Sequence, residues 1–305
     1  DPCCQAAADT IRRLCAAPDA AVHFLVGGTQ VNLVTIDAFL QSYEAVVAAQ
    51  TGHVSTHETG AIEATGHKVC TVESPDGKLT PALVESVLAG HNGTEHMVLP
   101  RMVYISDTTE IGTVYTRAEL AALRQCCDVH GLFLYLDGAR LGSALTSPDN
   151  DLTLPELAAL THAFTIGGTK NGLLFGEAVV ITNTDLKPHF RNMIKQRGGM
   201  FAKGFLFGVQ FGAYFKDGLW LEMARHAVSQ AQRIAKAAEE KGYTLYAKSP
   251  TNQVFIVLSH EKIAELEQNF AFEAFGHVDD DHEAMRFVCS WATKEESVDA
   301  LIASL

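Results

Sequence analysis

The sequence is poor in positive charge. Its 305 residues include 23 Lys and Arg against 36 Asp and Glu, so the formal net charge is −13 at pH 7. Nucleic acids and anionic membrane surfaces both bind through clustered basic side chains, and we expect neither nucleic acid nor a membrane as a partner. The sequence also lacks an apolar run long enough to span a bilayer, an internal repeat and a low-complexity linker.

Several familiar site patterns are also missing. The seven cysteines are odd in number, and the neighbouring pairs Cys3-Cys4 and Cys126-Cys127 do not have the spacing of a zinc knuckle. Scattered thiols of this kind predict reduced cysteines and a cytoplasmic protein. Neither a P-loop nor a G-x-G-x-x-G fingerprint occurs, and no metal site is expected.

Residues 1–216 alternate between strand-like and helix-like segments. "AVHFLV", "EAVVAA", "MVLPRMVYIS", "LFLYLD" and "GEAVVIT" are predicted as strands. "TRAELAALRQCCDVHG" is predicted as a helix, with Thr116 as its N-cap, Glu119 in its first turn and Gly131 as its stop. Strands that are apolar on both faces and alternate with helices indicate an α/β fold, with a mostly parallel sheet sandwiched by helices.

The pattern changes near residue 217. "GLWLEMARHAVSQAQRIAKAAEEKG" has the apolar spacing of a long amphipathic helix that ends at Gly242. The segments "QVFIVLS", "HEKIAELEQNF" and "MRFVCSWA" follow it. We therefore predict two domains, a large α/β domain over residues 1–216 and a small C-terminal α+β domain over residues 217–305.

Three predicted strands end in residues that suggest a binding site, because ligands of open parallel sheets bind at the carboxyl ends of the strands. The first is "FLVGGTQVNL", which places Gly27, Gly28 and Thr29 between a strand and a helix. Glycines let a ligand approach the backbone closely, and free N–H groups at a helix start bind anions. The segment fits a phosphate-binding turn, and it also fits a plain strand-to-helix turn capped by Thr29.

The other two strand ends carry opposite charges. In "LFLYLDGARLGSAL", Asp137 follows an apolar segment and Arg140 comes three residues later, and in "FTIGGTKNG", Lys170 follows a strand and two glycines. Taken singly, Asp137 fits a turn cap and Lys170 fits a solvated lysine. Together with the anion-binding turn, they are the groups needed to hold pyridoxal 5′-phosphate (PLP). A lysine forms the Schiff base through its neutral amine, and an aspartate keeps the pyridine nitrogen protonated.

Six segments carry a resemblance that extends from about residue 3 to the C-terminus. They are "FLVGGTQVNL", "HVSTHETGAIEATGHKV", "TTEIGTVYT", "LDGARLGSAL", "GGTKNG" and "MRFVCSW". In order and spacing they resemble the low-specificity L-threonine aldolases, which are PLP-dependent enzymes of the β-eliminating lyase group with the aspartate aminotransferase fold (fold type I). The most specific pieces are "LDGARLG" and "HVSTHETGAIE".

The resemblance implies roles for the residues that match the cofactor site. Lys170 would carry PLP, Asp137 would face the pyridine nitrogen, and His53 would stack on the ring and move protons as a third catalytic group. Arg140 would lie close to Asp137. The residues implied to hold the phosphate are Gly28, Thr29 and Gln30.

The substrate site is also implied by position. Arg286 of the small domain and Arg140 match arginines that bind the α-carboxylate, a task suited to the planar bidentate fork of arginine. Many members of the family have a histidine that contacts the substrate hydroxyl where "SDTTEIG" has Thr109. Thr109 is therefore predicted to bind substrate, and the identity of the base for the β-hydroxyl stays open.

A second departure concerns the phosphate. In "RGGMFAKG", Phe201 stands in the place of a family arginine, so that Lys203 or Arg197 is predicted to supply the cation, from a neighbouring subunit. The resemblance implies a homo-oligomer, a homotetramer built as a dimer of dimers with the site at the dimer interface. We also expect the N-terminal segment that contributes to the site in this family to be missing here.

The implied reaction is retro-aldol cleavage of L-threonine, L-allo-threonine or a related β-hydroxy-α-amino acid, with glycine and an aldehyde as products. Other PLP reactions, such as β-elimination, side-chain lysis or transamination, would use the same cofactor residues. A metal-dependent hydrolase based on His53, His57 and Glu58 is a further alternative, although these residues do not follow the H-E-x-x-H pattern. The last alternative function is that of a non-catalytic binding protein with a degenerate site.

Overall fold

The computed structural model describes residues 1–305. Its strands are β1 (Ala21–Leu25), β2 (Glu44–Ala49), β3 (Val69–Val72), β4 (Leu99–Ser106), β5 (Phe133–Asp137), β6 (Ala163–Gly167), β7 (Glu177–Ile181), β8 (Leu245–Ala247), β9 (Gln253–Ser259), β10 (Glu273–His277) and β11 (His282–Val288). Its helices are α1 (Pro2–Leu14), α2 (Gly28–Phe39), α3 (His53–Thr56), α4 (Pro81–Ala89), α5 (Arg117–His130), α6 (Leu141–Thr146), α7 (Leu154–Leu160), α8 (Phe190–Gln196), α9 (Phe205–Tyr214), α10 (Leu219–Glu240), α11 (His260–Leu266) and α12 (Glu295–Ser304).

Seven strands form the main sheet, in the order β1-β7-β6-β5-β4-β2-β3. The strands from β3 to β6 in this order run parallel to one another, whereas β7 is antiparallel to both of its neighbours, β1 and β6. Because β4, β5 and β6 are parallel neighbours, their carboxyl ends meet at one edge of the sheet, and the loops that follow them converge there.

Both faces of this sheet are covered, which explains its continuous apolar strands. Side chains alternate between the faces: Leu134 and Leu136 of β5 pack in the core beneath α1, α5, α7 and α9, whereas Tyr135 packs in the core beneath α2 and α8. The predicted N-cap of α5 is confirmed, since the Thr116 hydroxyl accepts from the Glu119 N–H. The Glu119 carboxylate also accepts from the Thr116 N–H, which completes a capping box.

A second, antiparallel sheet has the strand order β10-β11-β9-β8. The long helix α10 packs on α6 of the main sheet's layer and on β9 and α12 of the second unit. The predicted α/β class, with a mostly parallel sheet between helices and a smaller C-terminal α+β unit, is confirmed. The domain boundary at residues 216 and 217 stays a prediction, and α10 begins two residues beyond it.

Two findings bear on the composition arguments. All seven cysteines are free thiols. Among the helices, none combines the length and the apolar character that crossing a membrane requires.

Candidate active site

Two adjoining cavities form a cleft at the carboxyl ends of β4, β5 and β6. The inner cavity, of about 150 Å³, is lined by Gly28, Asp137 and Lys170 among others. The outer cavity, of about 510 Å³, extends from Lys170 to Arg286 of β11. The structure therefore brings together the lysine, the carboxylate and the glycine turn that the sequence placed at three separate strand ends.

The position of Asp137 depends on the glycine that follows it. The N–H of Gly138 donates to the Thr165 hydroxyl at 2.7 Å, and the N–H of Gly167 donates to the Gly138 carbonyl oxygen at 2.9 Å. A Cβ atom at Gly138 would overlap the Thr165 carbonyl oxygen. Only glycine therefore lets the end of β5 lie this close to the end of β6, with Asp137 at the floor of the cleft.

Three donors fix the buried carboxylate of Asp137. Its Oδ2 accepts from the Tyr104 hydroxyl at 2.6 Å and from Asn32 Nδ2 at 2.9 Å, and its Oδ1 accepts from the N–H of Ala139 at 2.9 Å. Asn32 is itself held by Tyr135, whose hydroxyl donates to its Oδ1 at 2.9 Å. These bonds orient the carboxylate, since each donor belongs to a fully packed side chain or to the backbone.

Asn32 also links Asp137 to a second buried acid, Glu58. Asn32 Nδ2 donates to Glu58 Oε1 at 2.7 Å, and His53 Nδ1 lies 2.8 Å from the same oxygen. This hydrogen bond raises the pKa of His53, against the lowering by partial burial. The pair therefore favours a protonated imidazole whose Nε2 remains available to the cleft.

Replacement of Glu58 by glutamine should lower the pKa of His53, because the imidazolium loses its charged acceptor. The pKa is measured by NMR titration of the histidine ring protons in the protein without cofactor, with His53→Asn used to assign the signal. Glu63→Gln, which changes an exposed acid five residues further along the chain, is the control. A His53 pKa that is the same in the Glu58→Gln and wild-type proteins would contradict the arrangement.

Lys170 lies in a short 3-10 turn, Thr169–Asn171, that directly follows β6. Asn171 fixes this turn, since its Nδ2 donates to the carbonyl oxygens of Ala139 and Gly167 at 3.0 and 2.9 Å. The Lys170 side chain opens into both cavities, and its pKa is lowered, first by burial and then by the positive charge of Arg140. A lowered pKa favours the neutral amine that attacks a carbonyl carbon.

Glu177, at the start of β7, also lines the inner cavity. Its Oε2 accepts from the N–H of Gly168 at 2.9 Å. Burial raises the pKa of this carboxyl to about 7, although the hydrogen bonds from Thr169 and Gly168 oppose the shift. Glu177 is thus a further acid of the inner cavity, bonded to the residue that directly precedes the turn of Lys170.

The start of α2 supplies an anion-binding turn. The helix begins without a side-chain cap, and its first internal bond is donated by Val31 to Gly27, so that the N–H groups of residues 28–30 have no partner within the helix. A Cβ atom at Gly27 or Gly28 would meet nothing within 4 Å. Thr29 is exposed, and the Gln30 amide oxygen accepts from the N–H of Val26 at 3.3 Å. The turn offers backbone donors and open space to a phosphate.

Arg286 reaches the outer cavity from β11, where it forms an ion pair with Glu273 of the neighbouring strand β10. Its Nε atom is buried without a partner, and so are Asn252 Oδ1 and Gln253 Nε2 beside it. Arg140 lines both cavities and makes no ion pair through its guanidinium. The outer cavity therefore has two arginines with unused hydrogen-bonding capacity.

Besides Thr29 and Gln30 at the start of α2, three predicted residues line neither cavity. The Thr109 hydroxyl lies 2.7 Å from the Thr113 hydroxyl and accepts from the Thr113 N–H at 3.0 Å. Lys203 is exposed and lines neither cavity. Arg197 donates from Nε to Asp37 Oδ2 at 2.6 Å. Within one chain, these residues are not brought to Lys170, and their roles stay predictions.

Sequence reasoning missed four residues that line or support the inner cavity: Asn32, Tyr104, Glu110 and Glu177. Glu177 had a usable signal, since it is the one acid in the otherwise apolar segment "GEAVVIT". Asn32 in "TQVNLVTIDAF" and Tyr104 in "RMVYIS" had none, because a polar residue within a helix or a tyrosine within a strand is ordinary.

The chain is similar to known proteins over nearly its whole length. The family model described as beta-eliminating lyase matches residues 1–261. A low specificity L-threonine aldolase from a Pseudomonas species is 34% identical over 305 residues, which cover 98% of this chain and 86% of that protein. A protein of the same name from Pseudomonas aeruginosa is 33% identical over 287 residues, with 92% and 81% covered.

A solved structure described as Leishmania major threonine aldolase is 49% identical and superposes with a TM-score of 0.98, over 99% of this chain and 88% of that chain. This match confirms the fold that the six sequence segments implied. With the match to the family model over most of the chain, it shows that this chain belongs to the beta-eliminating lyase family.

Proposed function

We propose that this protein is a PLP-dependent lyase that cleaves L-threonine or L-allo-threonine to glycine and acetaldehyde. The observation that carries the proposal is that Lys170 and Asp137 line one cavity, beside the uncapped start of α2. The relatives named as low specificity L-threonine aldolases support the choice of reaction.

The residues of the inner cavity, and of the start of α2 beside it, fit PLP in their chemistry. Asp137 is an oriented carboxylate suited to a pyridinium nitrogen, Lys170 is the amine suited to the aldehyde, and the free N–H groups of Gly28, Thr29 and Gln30 suit the phosphate. Bound there, PLP would supply an electron sink for the electron pair of the breaking Cα–Cβ bond. His53 lines the same cavity and is assigned to the face of the ring.

In the outer cavity, Arg286 and Arg140 are assigned to the substrate α-carboxylate. Arg286 is held by Glu273, whose side chain is 65% exposed. An ion pair of this exposed kind is worth about 0–1 kcal/mol, so that a substrate carboxylate can take the place of Glu273. The unpartnered Nε of Arg286 then provides a second donor on the same guanidinium for a bidentate contact.

We also propose that the functional form is a homo-oligomer, a dimer of dimers, in which a neighbouring subunit supplies Lys203 to the phosphate. The absence of Lys203 from the cleft within one chain is in keeping with this assignment. Free thiols throughout the chain support the proposal of a cytoplasmic location.

The proposed reaction is tested by product analysis. PLP-loaded protein incubated with L-threonine should yield glycine and acetaldehyde in equal amounts, with no ammonia released and no 2-oxo acid required. Acetaldehyde is followed with alcohol dehydrogenase and NADH, and glycine is followed by chromatography. Ammonia with a 2-oxo acid as products would identify β-elimination instead, and turnover only in the presence of a 2-oxo acid acceptor would identify transamination.

A further inference from the structure

Five residues line both cavities of the cleft and so mark the place where the inner and outer cavities meet. They are His53, Glu110, Arg140, Thr169 and Lys170. Glu110 is the only carboxylate among them. It stands between the Asp137 side of the cleft, where the cofactor is assigned, and the Arg286 side, where the substrate carboxylate is assigned.

The Glu110 carboxylate is not used by the protein. The residue is only 8% exposed, yet its side chain forms no hydrogen bond and no ion pair, not even with Arg140. The other acids of the site are engaged, since Asp137 accepts three hydrogen bonds and Glu58 and Glu177 accept bonds from His53 and Gly168. The Glu110 oxygens are not among the buried polar atoms that lack a partner, so that they are open to the cleft. A ligand with a hydrogen-bond donor can therefore reach this unpaired acceptor.

A carboxylate in a cleft built for an amino acid is otherwise unfavourable, because it repels the α-carboxylate of the substrate. Ionised Glu110 can only accept hydrogen bonds. A β-hydroxyl group is the one donor that separates threonine and its relatives from amino acids with plain side chains. We propose that Glu110 accepts the hydrogen bond of the substrate β-hydroxyl and takes its proton as the Cα–Cβ bond breaks. This inference rests on the proposed aldol cleavage.

All protons and electrons of the proposed step are accounted for. The hydroxyl proton moves to a carboxylate oxygen of Glu110, and the O–H electron pair becomes the second bond of the aldehyde carbonyl. The Cα–Cβ electron pair stays with the glycine fragment, which later takes up one proton at Cα. Glu110 returns its proton to solvent through the outer cavity, so that one threonine gives one glycine and one acetaldehyde.

The neighbours of Glu110 are less suited to accept this proton. The hydrogen bond to Glu58 raises the pKa of His53 and favours its protonated form, which donates rather than accepts. The Thr109 hydroxyl is already bonded to Thr113 and lies outside both cavities. The arrangement thus separates two tasks: His53 is placed to deliver a proton, and Glu110 is placed to receive one.

Replacement of Glu110 by glutamine tests whether Glu110 accepts the hydroxyl proton, because glutamine keeps the size of the side chain but cannot take the proton. With PLP-loaded protein, kcat/KM for L-threonine should fall about 10²–10⁴-fold, the range for loss of a general base. Exchange of the glycine α-hydrogen with deuterated water involves no β-hydroxyl and should continue at the wild-type rate. The binding of glycine, followed by the change in the pyridoxal absorption, should also be unchanged.

Glu110→Asp is the matched variant, since it retains a base and should recover part of the threonine activity that Glu110→Gln loses. Threonine cleavage by Glu110→Gln at the wild-type rate would overturn the inference, and so would a parallel loss of glycine exchange. Wild-type protein that exchanges glycine but makes no acetaldehyde would instead refute the proposed aldol cleavage itself.

Discussion

Replacement of Lys170 by alanine should remove the covalent attachment of PLP and lower threonine cleavage by at least about 10³-fold, a loss typical of an essential catalytic group. Lys170 is the only lysine that lines either cavity. Burial and the charge of Arg140 lower its pKa, and a neutral amine is required for attack on the aldehyde. No other side chain in the cleft can take over this step.

The attachment is measured directly by reduction with borohydride and peptide mapping. In the wild-type protein, the pyridoxyl group should be found on the peptide that contains Lys170, and the Lys170→Ala protein should carry no label. Lys187→Ala is the control, because the Lys187 ammonium is bonded to the Asp19 carbonyl oxygen away from the cleft. Label on any other lysine would show that the site is assigned to the wrong residue.

The main elements of the site could be predicted because they stand at strand ends. Asp137 is the last residue of β5, and Lys170 comes three residues after the end of β6. Parallel neighbours bring their carboxyl ends to one edge, so that two residues 33 positions apart in sequence reach one cavity. The apolar segments before them were sufficient to identify the strands.

The residues that orient the site could not be predicted in the same way. Asn32 bonds two carboxylates, Glu58 and Asp137, that lie 26 and 105 positions away in the chain. A hydrogen bond of this kind depends on where α2 packs against the sheet, and hydrophobic periodicity carries no information about it. The same limit applies to Tyr104, whose contact with Asp137 follows from the register of β4 and β5.

In the turn after β4, the sequence did not identify which of two adjacent residues faces the cleft. The family resemblance predicted that Thr109 binds substrate, whereas the side chain that lines both cavities is that of the next residue, Glu110. The reason is local: the Thr109 N–H donates to the Thr113 carbonyl oxygen, and the Thr109 hydroxyl is bonded to the Thr113 side chain. This closed turn directs Thr109 away from the cleft, and sequence spacing cannot reveal which of two adjacent side chains faces inward.

Replacement of Asp137 by alanine should weaken PLP retention and lower threonine cleavage by about 10²–10³-fold, the effect of removing one preorganised electrostatic partner. Without this carboxylate, the pyridine nitrogen loses the partner that is assigned to keep it protonated, and the electron pair of the breaking bond is less well accepted. The buried Tyr104 hydroxyl also loses its acceptor, and the Asn32 amide loses one of its two carboxylate acceptors, so that stability should fall by about 1–3 kcal/mol. PLP content, kcat and the unfolding temperature are measured together.

Tyr104→Phe separates the lost charge from the lost hydrogen bonds. This variant removes one donor to Asp137 Oδ2 but leaves the carboxylate, which still accepts from Asn32 and from the Ala139 N–H. It should therefore lose stability, while its PLP content and its rate fall far less than those of Asp137→Ala. Equal losses in the two variants would mean that the hydrogen bond from Tyr104, and not the charge of Asp137 alone, supports the cofactor. Wild-type PLP content and rate in Asp137→Ala would exclude Asp137 from the reaction.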